Sequence, residues 1–112
     1  MPAASTLVSA PPQHMQALAH ANRVRLARAT LKRSVLAGRL DVAQVIRTCP
    51  WEVETMTVGE LLRSQRRWGR TRARKFLSSL ALNENREVAR LTDRQRTLLA
   101  AELEAKALHR RQ

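Results

Sequence analysis

At 112 residues the chain is one domain at most, with a small core, and its lack of Tyr, single Phe and two Trp leave Ala, Leu and Val to build that core, which favours an all-α fold over a sheet. Lys and Arg number 21 against 9 Asp and Glu, a net charge of +12, and 18 of the 21 are Arg, whose planar fork matches phosphate oxygens and fits narrow minor grooves; nucleic acid therefore stands ahead of a membrane as partner. The lone Cys49 cannot close an internal disulfide and fits a reducing cytoplasm, and no apolar run is long enough for a signal peptide or a membrane span.

Residues 1–12 carry no charge and no periodicity and end in Pro11-Pro12, the pattern of a disordered leader. A long basic helix is expected over 13–38, free of Pro and Gly until Gly38 stops it. At about 100° per residue, Val24, Ala27, Leu31 and Val35 share one side, with Arg25, Arg28, Lys32 and Arg39 beside them. Before Val24 the apolar arc is thin, so the first half of the helix should project from the domain. A helical domain follows over 39–108. Asp41 to Gln44 has N-cap spacing for a short helix to about Arg47, ended by Pro50, and Trp51 reads as a packing anchor rather than a binding residue. Thr57 to Glu60 repeats the capping pattern and opens a helix over 58–64.

The run Gln65 to Phe76 holds six cations, Arg66, Arg67, Arg70, Arg72, Arg74 and Lys75, one glycine, Gly69, and no acid. It reads as a tight turn into an amphipathic helix from Arg70 to about Ala81, with Ala73, Phe76, Leu77 and Leu80 on the apolar side. Asn83-Glu84-Asn85 breaks the pattern. Thr92-Asp93-Arg94-Gln95 is a third capping box, opening a last helix over 93 to about 107 with Leu98 and Leu99 in the core and 109–112 frayed.

A glycine at a helix start gives a phosphate close access to unpaired backbone N–H groups, the physics of a helix-hairpin-helix. A solvated basic turn is the alternative for an isolated pair of arginines, but six cations without an acid favour binding. Candidate DNA contacts are Arg66, Arg67, Gly69, Arg70, Arg72, Arg74 and Lys75 in the hairpin, Arg25, Arg28, Lys32 and Arg33 on the first helix, and Arg86, Arg90 and Arg94 in the turns beyond. His14, His20 and His109 sit near the ends and none lies close in sequence to Cys49, so no catalytic, metal or cofactor constellation is visible and the chain does not read as an enzyme.

Several pieces, Ala27-Arg28-Ala29-Thr30-Leu31-Lys32-Arg33, Val45-Ile46, Met56 to Leu62, Arg70-Thr71-Arg72-Ala73-Arg74 and Leu91 to Gln95, occur in an order and spacing that resembles the actinobacterial (mycobacterial-type) integration host factor family. The resemblance covers about Leu18 to Leu103. It implies a long N-terminal helix, a compact helix-two-turns-helix domain and about five helices. It further implies a nucleoid-associated cytoplasmic protein that binds double-stranded DNA with little sequence preference, bends it, supports phage integration alongside a site-specific recombinase, and is a monomer in solution.

Where that family reads Pro-Gly-Val-Gly-Lys, this chain has Arg66-Arg67-Trp68-Gly69-Arg70. An Arg at a position requiring positive φ would strain or reshape the turn. Trp68 is then a core plug or an exposed wedge, and the apolar family position favours the plug. The family glycine that ends the hairpin's second helix is Ala81 here, so that helix should run on slightly. A diverged paralogue, or a copy carried by a phage, fits these departures. Two other readings stay open: a structured-RNA or ribosome-associated protein, and an adaptor docking on an acidic protein through the first helix.

Overall fold

The computed structural model describes residues 12–111, so the leader expected over residues 1–12 lies, Pro12 apart, outside the described residues, as does Gln112. Five α-helices follow in order: α1 Gln13–Leu36, α2 Val42–Thr48, α3 Val58–Arg63, α4 Arg70–Ser79 and α5 Asp93–Arg111. Single 3₁₀ turns lie at Trp51–Val53 and Val88–Arg90. Among the described residues there is no strand, only an isolated antiparallel bridge between Thr57 and Glu87. The fold is all-α, with a long N-terminal helix.

Helix α1 begins after Pro12, whose fixed φ of −56° suits a helix entrance. It ends in a Schellman motif. The amides of Gly38 and Arg39 donate to the carbonyls of Val35 (3.1 Å) and Ser34 (2.9 Å), and Gly38 takes the left-handed φ of 80° that this closure requires. Only Leu31 and Val35 of α1 are buried; Val24 and Ala27 are half-buried and residues 12–23 are exposed, so the first half of α1 does project. The whole measures 69 × 27 × 22 Å.

The body is a cluster in which α2 packs chiefly on α5, and α3 on α4. Ile46, Met56, Leu61, Leu62, Leu77 and Leu99 are its largest fully buried side chains. The caps form where the sequence places them. Asp41 accepts from the Ala43 amide (3.2 Å) and Thr57 from the Glu60 amide (3.2 Å). Thr92 and Gln95 exchange both bonds of a full capping box, at 3.1 and 2.9 Å.

Four expectations are corrected. Trp51 is not a packing anchor: it opens a surface 3₁₀ turn and is 53% exposed, while the neighbouring core position is taken by Val53. Leu98 is 44% exposed, because Leu99, Ala100 and Leu103 supply the stripe that α5 turns inward. Helix α4 does not run on past the missing glycine. It stops at Ser79, and Ala81 itself adopts the left-handed conformation (φ 58°) while the Leu82 amide closes onto the Leu77 carbonyl (2.9 Å), which lets Leu82 reach the core. Helix α5 continues to Arg111 rather than ending near 107.

Candidate nucleic-acid interface

The two turns of the body lie side by side, and the reason is backbone pairing at the start of α3. The amides of Val58 and Gly59 donate to the carbonyls of Arg86 (2.8 Å) and Glu84 (2.9 Å), and Val88 returns a bond to Met56 (3.0 Å). A Cβ at Gly59 would stand 2.9 Å from the Glu84 carbonyl oxygen, so only glycine permits this approach. The 83–88 segment therefore occupies the N-terminus of α3. That of α4 is left open: Gly69 supplies no side-chain cap and has no neighbour within 4 Å of its would-be Cβ.

Between α3 and α4 the chain turns tightly, the Trp68 amide donating to the Gln65 carbonyl at 3.2 Å. Arg67 carries the positive φ of this turn, at 70°, whereas Gly69 is extended (φ −92°, ψ −178°). A left-handed non-glycine residue costs about 1–2 kcal/mol. That conformation points Arg66 and Arg67 to solvent while Trp68 enters the protein, 5% exposed, edge-on to Phe76 with ring centroids 5.4 Å apart. Trp68 is thus a core plug. The Arg72 guanidinium lies 4.3 Å above its ring, joining the first turn of α4 to the hairpin.

The expected contact residues divide by what their own fold does with them. Arg66, Arg67, Gly69, Arg70, Arg72, Arg74 and Lys75 are all exposed around the hairpin and α4. Arg74 donates from Nε and Nη2 to the two oxygens of Glu84, at 3.1 and 3.2 Å. This hydrogen bond, with the charges of Arg74, Arg63 and Arg70, holds the Glu84 carboxyl below its usual range despite partial desolvation, and the same pair raises Arg74 further. On α1, Arg25 and Arg33 are exposed, but Arg28 donates to the Glu52 carbonyl (3.2 Å) and to Thr55, and Lys32 is ion-paired with Glu60. Those two cations dock α1 onto the body. Beyond α4, Arg86 reaches the Arg90 carbonyl (3.4 Å), Arg90 pairs with Glu87 (3.0 Å), and Arg94 is exposed in the first turn of α5.

Two cations escape the sequence reading. Arg63, at the end of α3, is close enough to Glu84 to bias its proton equilibrium. Lys106 of α5 stands 5.5 Å over the Phe76 ring and, with Thr71, Arg72, Lys75 and Ser79, lines a groove of about 540 Å³ floored by Trp68 and Phe76. Lys106 follows Leu99 and Leu103 at helical spacing, the one sequence signal for a place at the edge of the core. Among the described residues no carboxylate lines this groove. Among the described residues, no three His, Cys, Asp or Glu are grouped so as to hold a metal ion, and no helix is long and apolar enough to cross a membrane.

A long first helix, a basic hairpin and a second turn pinned beside it form an integration-host-factor-like fold. The chain is similar to sIHF as solved bound to an 8-bp palindromic DNA, with a TM-score of 0.67 and 27% identity over 78% of this chain and 96% of that one. No family model matches the sequence, and no curated protein does.

Proposed function

We propose that this protein is an architectural DNA-binding protein of the nucleoid, gripping double-stranded DNA with little sequence preference. The observation that carries the proposal is the acid-free, solvent-facing cationic run from Arg66 to Lys75 at the open start of α4, in a fold similar to one solved on DNA. Phosphates dominate affinity in such a grip, and base edges play little part. In the proposed arrangement a backbone phosphate sits at the amides that follow Gly69. Arg66, Arg67 and Arg70 reach flanking phosphates or the minor groove, and Lys75 and Lys106 continue the track along the groove between α4 and α5.

Arg25 and Arg33 on the first helix form the second contact, with Arg94 and Arg86 lying beyond the hairpin. Two cationic surfaces on a particle 69 Å long allow one copy to bend a duplex or to bridge two. The protein acts as a monomer of the actinobacterial integration-host-factor type, and a site-specific recombinase is the natural co-occupant of the DNA it bends. The test is a salt titration on random-sequence duplex with structured RNA as competitor. Neutralising about five phosphates gives a slope of log K against log salt near −4 to −5. A slope near zero overturns the proposal, and preferential binding to the RNA replaces it with an RNA-binding role.

A further inference from the structure

Helix α1 has two apolar sides, and the body covers one. Leu31 and Val35 are buried and Val24 and Ala27 half-buried on the inner side, yet α1 also contributes Met15, Leu18, Leu26 and Leu36, each 53–63% exposed, out of the seven large exposed hydrophobics among the described residues. At 3.6 residues per turn these four fall within about 80° of arc, opposite Val24, Leu31 and Val35, along roughly 31 Å of helix. Single exposed leucines are ordinary, but an aligned row is a surface built for contact. Met15, Leu18 and Asn22, then Leu26, Ala29 and Arg33, repeat at a spacing of three, four and four residues, the eleven-residue period by which helices pack side by side with a right-handed supercoil.

The charges beside the row define what covers it. Arg25 and Arg23 lie on opposite sides of its centre, about 60° and 100° away, and Arg33 lies within it. None of the three is in an ion pair among the described residues, and no Asp or Glu occurs between Gln13 and Leu40. A second copy of α1 would bring these arginines together with no carboxylate to offset them. A duplex would satisfy the arginines but offers no apolar row. An anionic membrane favours a broad apolar face with aromatic anchors, whereas this one is narrow and holds Asn22 and Arg33. We infer that the outer side of α1 is a docking seam for an acidic amphipathic helix of a partner protein, its apolar row against Met15, Leu18 and Leu26 and its flanking carboxylates against Arg23 and Arg25. Such flanking charges select the partner and its orientation in helix pairs, and an Asn in the seam fixes register.

The seam shares Arg25 and Arg33 with the second DNA contact proposed for α1, but Leu18 and Leu26 are not among those contacts, so their substitution tests the seam apart from the DNA grip. Two labelled synthetic helices of about 25 residues, long enough to follow the seam, test it by fluorescence anisotropy at near-physiological salt. Both carry the same glutamates; one has Leu at the three-four-four positions and the other Ala. The expected result is a Leu helix that binds about tenfold more tightly for each leucine it engages, the scale set by burying one such side chain. Leu18→Gln with Leu26→Gln removes that preference without changing duplex affinity or the unfolding temperature, and Arg23→Gln with Arg25→Gln weakens both helices alike. Equal binding of the two helices shows only charge attraction and overturns the inference. So does a doubly substituted protein that keeps the preference, or one whose only loss is self-association in sedimentation or binding to anionic vesicles.

Discussion

The hairpin and the first helix are both rich in arginine, but the protein uses the two sets of cations differently. Arg28 and Lys32 are bound to Glu52, Thr55 and Glu60 and hold α1 on the body, whereas Arg66, Arg67 and Arg70 are exposed and form no ion pair among the described residues. A cation already paired within its own fold brings less to a phosphate, since the new contact replaces an old one. A tally of charges therefore overstates α1 as a DNA surface and understates it as a docked lever, and in the proposed function the hairpin carries the larger share of binding.

The hairpin can present its cations only if it is rigid. Trp68→Ala leaves a cavity under Arg72 and beside Phe76 and should lower stability by about 3–5 kcal/mol in denaturant unfolding. A drop below about 1 kcal/mol would mean that the turn is held by something other than its plug.

Arg66→Ala with Arg70→Ala removes two exposed cations, of which Arg70 acts within the fold only through its charge on Glu84, so unfolding should change little while duplex affinity falls by about tenfold to a hundredfold. Arg28→Ala with Lys32→Ala should show the reverse pattern, reduced stability with a smaller change in affinity.

Arg67→Gly separates conformation from charge at one residue. Relieving the left-handed backbone should add about 1 kcal/mol of stability while weakening DNA binding by removing a cation. A destabilised variant would show that the Arg67 side chain, and not its backbone, sets the turn.

Glu84→Gln gives the smallest effect. It frees Arg74 for phosphate, and duplex affinity should rise by about two- to fivefold. The pH dependence has a definite sign. The Glu84 carboxyl is lowered by its bond to Arg74, so its contribution to stability is present above the ordinary carboxylate pKa and is lost as pH falls through the lowered folded value. Acid unfolding of Glu84→Gln should lack that component.

Much of this was legible in the residues. The Thr57 and Thr92 caps, the Gly38 stop and the inner side of α1 follow local rules, and local rules fixed them. What local rules could not show depends on packing. Gly59 looked like part of a cap, but it is the contact point between the two turns. Ala81 lacks the expected glycine, yet the need to bury Leu82 keeps it left-handed. Trp51 and Trp68 have the same chemistry and opposite fates, decided by whether the core offers a partner such as Phe76. The candidate interface was legible as composition, and its division into free and internally paired cations was not.

In the proposed function the hairpin cations, and not the docked cations of α1, neutralise DNA phosphates. The direct measurement is the salt dependence of duplex affinity for the wild type, the Arg66→Ala, Arg70→Ala protein and the Arg28→Ala, Lys32→Ala protein. Removing one cation that neutralises a phosphate should reduce the slope of log K against log salt by about one. The expected slope is shallower by about two for the hairpin variant and nearly unchanged for the α1 variant; equal slopes in the wild type and the hairpin variant, or the larger change on α1, would overturn this assignment of the cations.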